Sequence, residues 1–453
     1  MSNPGEGNLT PITSTRQLAE YLATGCKPRE KFSIGTEHEK FGFRLSDLMP
    51  PPYEPQGIRA TLEGIAGNGW EPIIDQGKPI GLTRNGASIS LEPAGQFELS
   101  GGLCQNLHQT HAELDAHLTE LRPVAKGLGL GFAPLGFHPL ARREDMPWMP
   151  KGRYGIMERY MPKVGTRGLD MMTRTCTVQV NLDFSSESDM VRKLRVGLAL
   201  QPFATALFAN SPFYEGKPNG MMSNRAAAWL DTDNARSGIP AVVFEDGFGF
   251  ERFAEFALDV PMYFVYREGR YIDVAGASFR EFMAGRLPEL EGERPVLGDF
   301  ADHLTTIFTD VRLKRFIEMR GADAGTPEMM VALSAFWVGL LYDDAALTAA
   351  ETLVAGLDAA QLNAVRAEVP AAGLSAAWRE GALRDIAKPL MEIARDGLRA
   401  RGAADAKGHD ERRYLAPLEA IAAGEPTQAE HWLAQWSEAW GSDTAQIFGE
   451  AAV

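Results

Sequence analysis

Cysteine is scarce in this chain. Cys26, Cys104 and Cys176 are its three cysteines in 453 residues, too few and too scattered for a disulfide framework or a structural zinc site. A reducing cytoplasm is the simplest compartment. Long apolar runs are missing too. The longest, VALSAFWVGLLY at 331–342, is too short to span a bilayer. The N-terminal MSNPGEGNLTPITSTRQLAEYL has no apolar core of signal-peptide type. Positive charge is in deficit: the formal net charge is −15, which argues against general affinity for nucleic acid or anionic membrane. An anionic substrate must therefore be drawn by a local basic patch. Short catalytic signatures are absent as well. There is no G-x-x-x-x-G-K-[ST] and no G-x-S-x-G, and HEKFG lacks the second histidine of H-E-x-x-H. DGFGFER at 246–252 is only a fragment of a glycine fingerprint and reads as a turn.

What is present reads as an enzyme-sized chain of mixed structure. Ser14 caps a short helix through RQLAEYLA. Helices are expected over GIRATLEGIAGNGW, LHQTHAELDAHLTELRPVAKGLG and SESDMVRKLRVGLALQPFATALFAN. Strands are expected in SIGTEHEKFGF, in EPIIDQGKPIGLTRNGASISLEPAGQFELSG as several short pieces, in GLGFAPLGFHP, in TCTVQVNLDF, and as a single strand in TDVRLKRFIEMRGAD. VPMYFVYREGRYIDV reads as a hairpin turning at Glu268-Gly269. Beyond about residue 326 the pattern is helical. This divides the chain into a catalytic region, 1–325, and a helical region packed on it, 326–453. Strands that do not alternate with single helices favour α+β with a largely antiparallel sheet.

Alternation places side chains on faces. In SIGTEHEKFGF one face carries Ser33, Gly35, Glu37, Glu39, Phe41 and Phe43, and the other Ile34, Thr36, His38 and Lys40. In TDVRLKRFIEMRGAD, Arg312, Lys314, Phe316, Glu318 and Arg320 lie opposite an apolar set. In TCTVQVNLDF, Thr175, Thr177, Gln179, Asn181 and Asp183 lie opposite Cys176, Val178, Val180, Leu182 and Phe184. Glu92 shares a side with Ser88 and Ser90, and Glu98 with Gln96. Each strand alone is compatible with a solvated face. Together, Glu37, Glu39, Glu92, Glu98 and Glu318 would converge if the strands share a sheet, and like charges that close need compensation. Mg²⁺, which takes hard oxygen ligands and binds substrate phosphates, is the natural compensation. Arg312, Lys314 and Arg320 would supply the phosphate side.

A second positive neighbourhood lies at 142–174, where eight Arg or Lys stand against four acids. The segment includes Lys151 and Arg153 and reads as loop-rich with a helix near RYGIMERYM, either a solvated basic loop or a lid over a nucleotide. From the residues alone, the expectation is an ATP- and Mg²⁺-dependent phosphoryl-transfer or ligation enzyme working on the polar face of a curved antiparallel sheet.

The stretches IGTEHEKFGF, SLEPAGQFELSG, YMPKVGTRGLDMMTRTCTVQVNLDF, ALDVPMYFVYR and HLTTIFTDVRLKRFIEMRGAD together resemble the plant-type glutamate–cysteine ligases (γ-glutamylcysteine synthetases), which also occur in proteobacteria. The likeness runs through ALSAFWVGLLYD into the helical tail. It implies a glutamine-synthetase-like fold and the ATP-dependent joining of the glutamate γ-carboxylate to the cysteine amine through a γ-glutamyl phosphate, the first step of glutathione synthesis. It implies Mg²⁺ at Glu37, Glu39, Glu92, Glu98 and Glu318, and phosphate contacts from Arg312 and Arg320. Substrate contacts from Arg225, Tyr263, Thr177, Gln179 and Asn181 follow, as do nucleotide contacts from Lys151, Arg153 and Lys314. The partners expected are glutamate, cysteine and ATP, with no nucleic acid or membrane, on a monomer or homodimer. Plant members carry a transit peptide, for which this chain has no room. His111 stands where they can have a regulatory cysteine. Another carboxylate–amine ligase with a different amine acceptor is the alternative. A binding protein without chemistry is a third reading, opposed by intact Glu37, Glu39, Glu318 and Arg320.

Several residues have plainer expected roles. Cys176 reads as a buried structural thiol, and His38 and Lys40 as structural groups behind the carboxylates. Trp229 and Trp337 read as packing residues, and the methionines of GLDMMTRT and NGMMSNR as fillers of core or lid gaps. EHWLAQWSEAW reads as an amphipathic helix packed on its own chain.

Overall fold

The computed structural model describes residues 7–453. Its centre is one mixed-length sheet in which every pairing is antiparallel. We number the strands β1 (Ile34–Arg44), β2 (Glu71–Asp75), β3 (Lys78–Arg84), β4 (Ala87–Leu91), β5 (Phe97–Ser100), β6 (Leu130–Ala133), β7 (Thr177–Leu182), β8 (Val311–Leu313) and β9 (Ile317–Asp323). They lie in the order β8-β9-β7-β1-β5-β4-β3-β2, with β6 pairing the far end of β1. Short hairpins such as β3–β4 alternate with long excursions that add helices, which gives α+β rather than a doubly wound sheet.

Two elements differ from the sequence expectation. TDVRLKRFIEMRGAD is a hairpin, not one strand: β8 and β9 pair Arg312 with Glu318 and Leu313 with Ile317. The faces survive the fold-back because directly opposed residues of an antiparallel pair share a face. Residues 142–174 hold more helix than expected: beside Gly152–Val164, the helix expected near RYGIMERYM, a second forms at Gly168–Arg174. Many of their charges are spent internally: Arg143 and Arg167 each donate to Asp170 at 2.8–2.9 Å, and Arg174 lies 3.4 Å from it. The DGFGFER turn leads into helix Phe250–Asp259.

Other elements match. Ser14 caps helix Thr15–Ala23 by accepting from the Gln17 amide. The hairpin Phe264–Arg267/Arg270–Asp273 turns at Glu268 and Gly269, both in the left-handed region that a tight hairpin turn requires. In helix Gln428–Glu438, Trp432 donates to Asn210 Oδ1 at 2.6 Å and packs with Phe41 and Phe43 of β1 on the chain's own core.

The apolar faces of β7 and β9, with Val178, Val180, Ile317 and Met319, face the helices Glu187–Leu207 and Pro327–Leu341. The VALSAFWVGLLY run belongs to Pro327–Leu341 and is buried along its whole length, Trp337 included. A helix that is apolar all round belongs in a core. Among the described residues no single helix is long and apolar enough to cross a membrane.

Candidate active site

The register aligns the polar side chains. On β1, Glu37 lies opposite Gln179 of β7 and Ser100 of β5, and Glu39 lies opposite Glu98. Glu318 of β9 lies opposite Asn181, and Arg312 opposite Glu318. Glu98 in turn faces Ser90 of β4. One sheet face therefore gathers Glu37, Glu39, Glu98, Gln179, Asn181, Glu318 and Arg312. Glu92 is added by the tight turn after β4, where Gly95 N donates to Glu92 O at 2.9 Å.

A cavity opens over this face. Glu37, Glu39, Glu92 and Glu98 line it together with Arg153, Arg225, Arg312 and Arg320. Thr177 and Gln179 are also in the wall. Four carboxylates and four guanidiniums sharing one concave site form a polarised chamber, not a solvated face.

Each acid has its own surroundings. Glu39 accepts from the Thr177 amide at 2.9 Å. Burial, then the charges of Glu92 and Glu98, push its carboxyl well above the usual range. Glu98 accepts from Ser90 and Ser100 hydroxyls. Glu37 accepts from Asn181 Nδ2 at 2.8 Å. Glu318 is fully buried. Burial would raise it, but Arg312, Lys314 and Arg320 outweigh burial and hold it well below the usual range. Arg312 grips it with Nε at 2.5 Å and Nη2 at 2.9 Å; Arg320 reaches it at 2.9 Å and Lys314 at 3.5 Å. One carboxylate thus fixes two of the cavity's arginines and offsets only one of three positive charges.

Arg320 sits in a bulge: the β9–β7 register gains one residue between Met319 and Ala322. Bulges re-aim side chains. Here Arg320 Nη1 donates to Gln179 Oε1 at 2.6 Å, while its carbonyl accepts from Arg225 Nη2 at 2.6 Å. Gly321 makes the bulge possible, since a Cβ there would stand 2.3 Å from Gln201 Nε2 and 2.8 Å from Thr205 Oγ1.

The remaining expected residues stand one layer back. Asn181 and Lys314 touch Glu37 and Glu318 rather than the cavity. Tyr263 is buried, donates to Asp233 at 3.2 Å and carries Arg236 over its ring. Lys151 is buried with its Nζ 3.4 Å from Tyr154 Oη; burial, and next Arg153, bring its amine down to about 8. On the far face of β1, Lys40 Nζ meets His38 Nδ1 at 2.8 Å, inside the core. Cys176 is buried as expected, and burial raises its thiol.

Trp229 corrects an expectation. It lines the cavity with Phe308, Phe264, Met157, Met171 and Met172, so it and the GLDMMTRT methionines are wall as well as packing. Nothing in the sequence signals this, because apolar residues at helical spacing read as core.

The donor set fits Mg²⁺. It consists of hard carboxylate oxygens, and the mutual repulsion of Glu39, Glu92 and Glu98 is what a divalent cation would relieve. Among the described residues no three acidic, histidine or cysteine side chains converge on one point as a preformed cage. Mg²⁺ seldom uses such cages; it keeps waters and binds through one or two carboxylates plus substrate phosphates.

Comparison with known proteins agrees with this geometry. The family model described as glutamate–cysteine ligase family 2 (GCS2) matches residues 33–448. The chain is 52% identical over 441 residues to the chloroplastic glutamate–cysteine ligase of Arabidopsis thaliana, covering 97% of this chain and 83% of that one. It is 50% identical over 443 residues to the chloroplastic glutamate–cysteine ligase B of Oryza sativa subsp. japonica, covering 98% and 88%. In fold it is similar to the glutamate–cysteine ligase of Francisella tularensis, solved in complex with AMP: TM-score 0.53, 12% identity, 93% of this chain and 87% of that one. It is also similar to a bifunctional glutathione synthetase from Pasteurella multocida, with TM-score 0.50, 12% identity, and coverage of 96% and 53%. A family match over residues 33–448, half-identical relatives and an acid-and-arginine chamber built by the matched segments lead to one conclusion: the chain belongs to glutamate–cysteine ligase family 2, the plant-type glutamate–cysteine ligases.

Proposed function

We propose that this enzyme joins the γ-carboxylate of glutamate to the amine of cysteine, using ATP and Mg²⁺, as the first step of glutathione synthesis. The observation that carries the reading is the single chamber in which Glu37, Glu39, Glu92 and Glu98 face Arg153, Arg225, Arg312 and Arg320. The names of its half-identical relatives supply the two amino acids.

A carboxylate is a poor acyl donor to an amine at neutral pH. In the proposed reaction a γ-carboxylate oxygen of glutamate attacks the γ-phosphorus of ATP, the bond to ADP breaks, and γ-glutamyl phosphate forms. The cysteine amine then attacks the acyl carbon. A C–N bond forms, phosphate leaves with the C–O bonding pair, and the amine gives up a proton. Bound Mg²⁺, held by Glu37, Glu39, Glu92 and Glu98, would neutralise charge on the phosphates. Arg312 and Arg320, braced by Glu318, hold positive charge where the phosphoryl group passes and do not reorganise as it moves. Arg225 is pinned through the Arg320 carbonyl, so it holds its place in the wall between them. Phe308, Trp229 and the methionines exclude water from an acyl phosphate that water would hydrolyse. The free cysteines are in keeping with a cytoplasmic location.

The test is ADP release by purified protein with ATP, Mg²⁺ and glutamate, with and without cysteine. Cysteine-dependent release matched by γ-glutamylcysteine is expected. Equal release with alanine or ammonia and none with cysteine would overturn the choice of amine. No release with any pairing would overturn the ligase reading.

A further inference from the structure

β9 ends on a buried acid that the chemistry above does not use. Asp323 is fully buried and lies opposite Thr177 of β7. Its carboxylate takes three donors. Oδ2 accepts from the Asn210 amide at 2.9 Å and from the Ser211 hydroxyl at 2.6 Å, and Oδ1 accepts from the Ser223 hydroxyl at 2.8 Å. Gly136 packs against the same group: a Cβ there would stand 2.3 Å from Asp323 Cγ and Oδ2. Both serine oxygens are then used a second time. Ser211 Oγ accepts from the Arg225 amide at 3.3 Å, and Ser223 Oγ accepts from the Ala226 amide at 3.0 Å. These amides open helix Asn224–Trp229, and the first N–H groups of a helix have no partner inside it. An ionised carboxylate only accepts. Each serine proton therefore points at Asp323, which leaves the lone pairs of each oxygen for a helix amide.

We infer that Asp323 is a positioning residue for the proposed reaction: through Ser211 and Ser223 it fixes the helix that carries Arg225, and so sets where Arg225 stands beside Arg320 in the chamber. The kinetic consequences rest on the ligase reading above; the geometry does not. β9 holds Arg225 at both ends. The guanidinium donates to the Arg320 carbonyl at 2.6 Å, and the backbone amide leans on Asp323 through Ser211. Arg320 and Asp323 are three residues apart on either side of the bulge, so one short segment spaces the two arginines. Asp323 also acts on Arg225 by charge. Burial pulls the Arg225 guanidinium down, and the charge of Asp323, ahead of that of Glu39, opposes it. Asp323 is not among the residues that line the chamber, so this counter-charge sits behind the wall.

The experiment is a double-mutant cycle on Asp323→Asn and Arg225→Lys, read in kcat and in the KM of each substrate. Asparagine keeps the shape but accepts at one end only, so a serine proton loses its acceptor and a cap is lost. Asp323→Asn should lower kcat/KM about tenfold. The loss should fall in the same parameter that Arg225→Lys changes, whether kcat or one substrate's KM. In the Arg225→Lys background, Asp323→Asn should cost less than about threefold more. A buried acid that only ties the strand end to its turn gives another pattern, because its loss acts on the fold and not through Arg225. Losses that multiply, a change in a parameter that Arg225→Lys leaves alone, or kcat/KM within about twofold of wild type would each overturn the inference. If Asp323→Asn fails to fold, Ser223→Ala carries the same cycle under the same criteria, with a loss of about threefold expected. If the wild type shows no cysteine-dependent ADP release, the ligase reading has failed separately. Crystal structures of wild type and of the substituted protein then decide. An Arg225 guanidinium moved away from the Arg320 carbonyl, with β7 and β9 in place, supports the positioning role, and an unmoved Arg225 overturns it.

Discussion

Glu318 separates two accounts of this site, because a metal ligand and an arginine brace respond differently to Glu318→Gln. The side chain is fully buried and receives Arg312 through two nitrogens, Arg320 through one, and Lys314 at 3.5 Å. Glutamine keeps the shape and one acceptor oxygen but removes the charge. Three cations, with side chains 7%, 13% and 15% exposed, are then left without their shared carboxylate. At that burial solvent screens little, and removing one partner of a buried ion pair costs about 3–5 kcal/mol. The loss should be present in the protein with EDTA and no nucleotide, read as a lower urea midpoint at unchanged slope. The activity loss should lie in kcat, since Arg312 and Arg320 lose the group that aims them. A pure metal ligand would behave otherwise. Its loss would leave the stability of the EDTA-treated protein within about 0.5 kcal/mol of wild type, as for a substitution that breaks no native contact, and would shift mainly the Mg²⁺ concentration for half-maximal rate. That outcome would refute the brace.

Three further expectations follow from the same geometry. Glu39 has a raised carboxyl, so the folded state keeps its proton to higher pH than the unfolded chain, and ionising it above the ordinary glutamate value of 4.5 costs stability as pH rises. In EDTA, Glu39→Gln should therefore be more stable than wild type at pH 8, with the gap closing toward pH 4.5, while its turnover requires more Mg²⁺; a gap that widens in acid would contradict the charge cluster. Gly321→Ala forces a Cβ against Gln201 and Thr205 and should cost about 1–3 kcal/mol by overpacking, with kcat falling because Arg320 shifts; thermal melts and kinetics check both, and a neutral result would mean that the bulge tolerates a side chain. Cys176→Ala should keep kcat within about twofold, as a buried thiol on the apolar face has no part in the chemistry; inactivation by that substitution would reopen a nucleophilic role.

The sequence by itself determined the alternation of β1 and β7, and with it which face holds Glu37, Glu39, Gln179 and Asn181. A period of two is a local property of extended backbone, so it can be read from single segments. It also determined the caps, the Glu268-Gly269 turn and the buried helix Pro327–Leu341, all set by residues close in the chain. Only the tertiary structure decided the rest. The fold-back within TDVRLKRFIEMRGAD depends on pairing with β7, and the short helix Gly168–Arg174 is stabilised by a distant core rather than by propensity. Trp229 becomes a chamber wall, and Arg366 reaches Asp310 from a helix 56 residues further along. Charges tell the same story. Glu39 and Glu318 are the same residue type on one sheet face, yet their neighbours push one carboxyl up and the other down. Those neighbours come from remote strands, and electrostatic energy depends on distance and burial, which only folding sets.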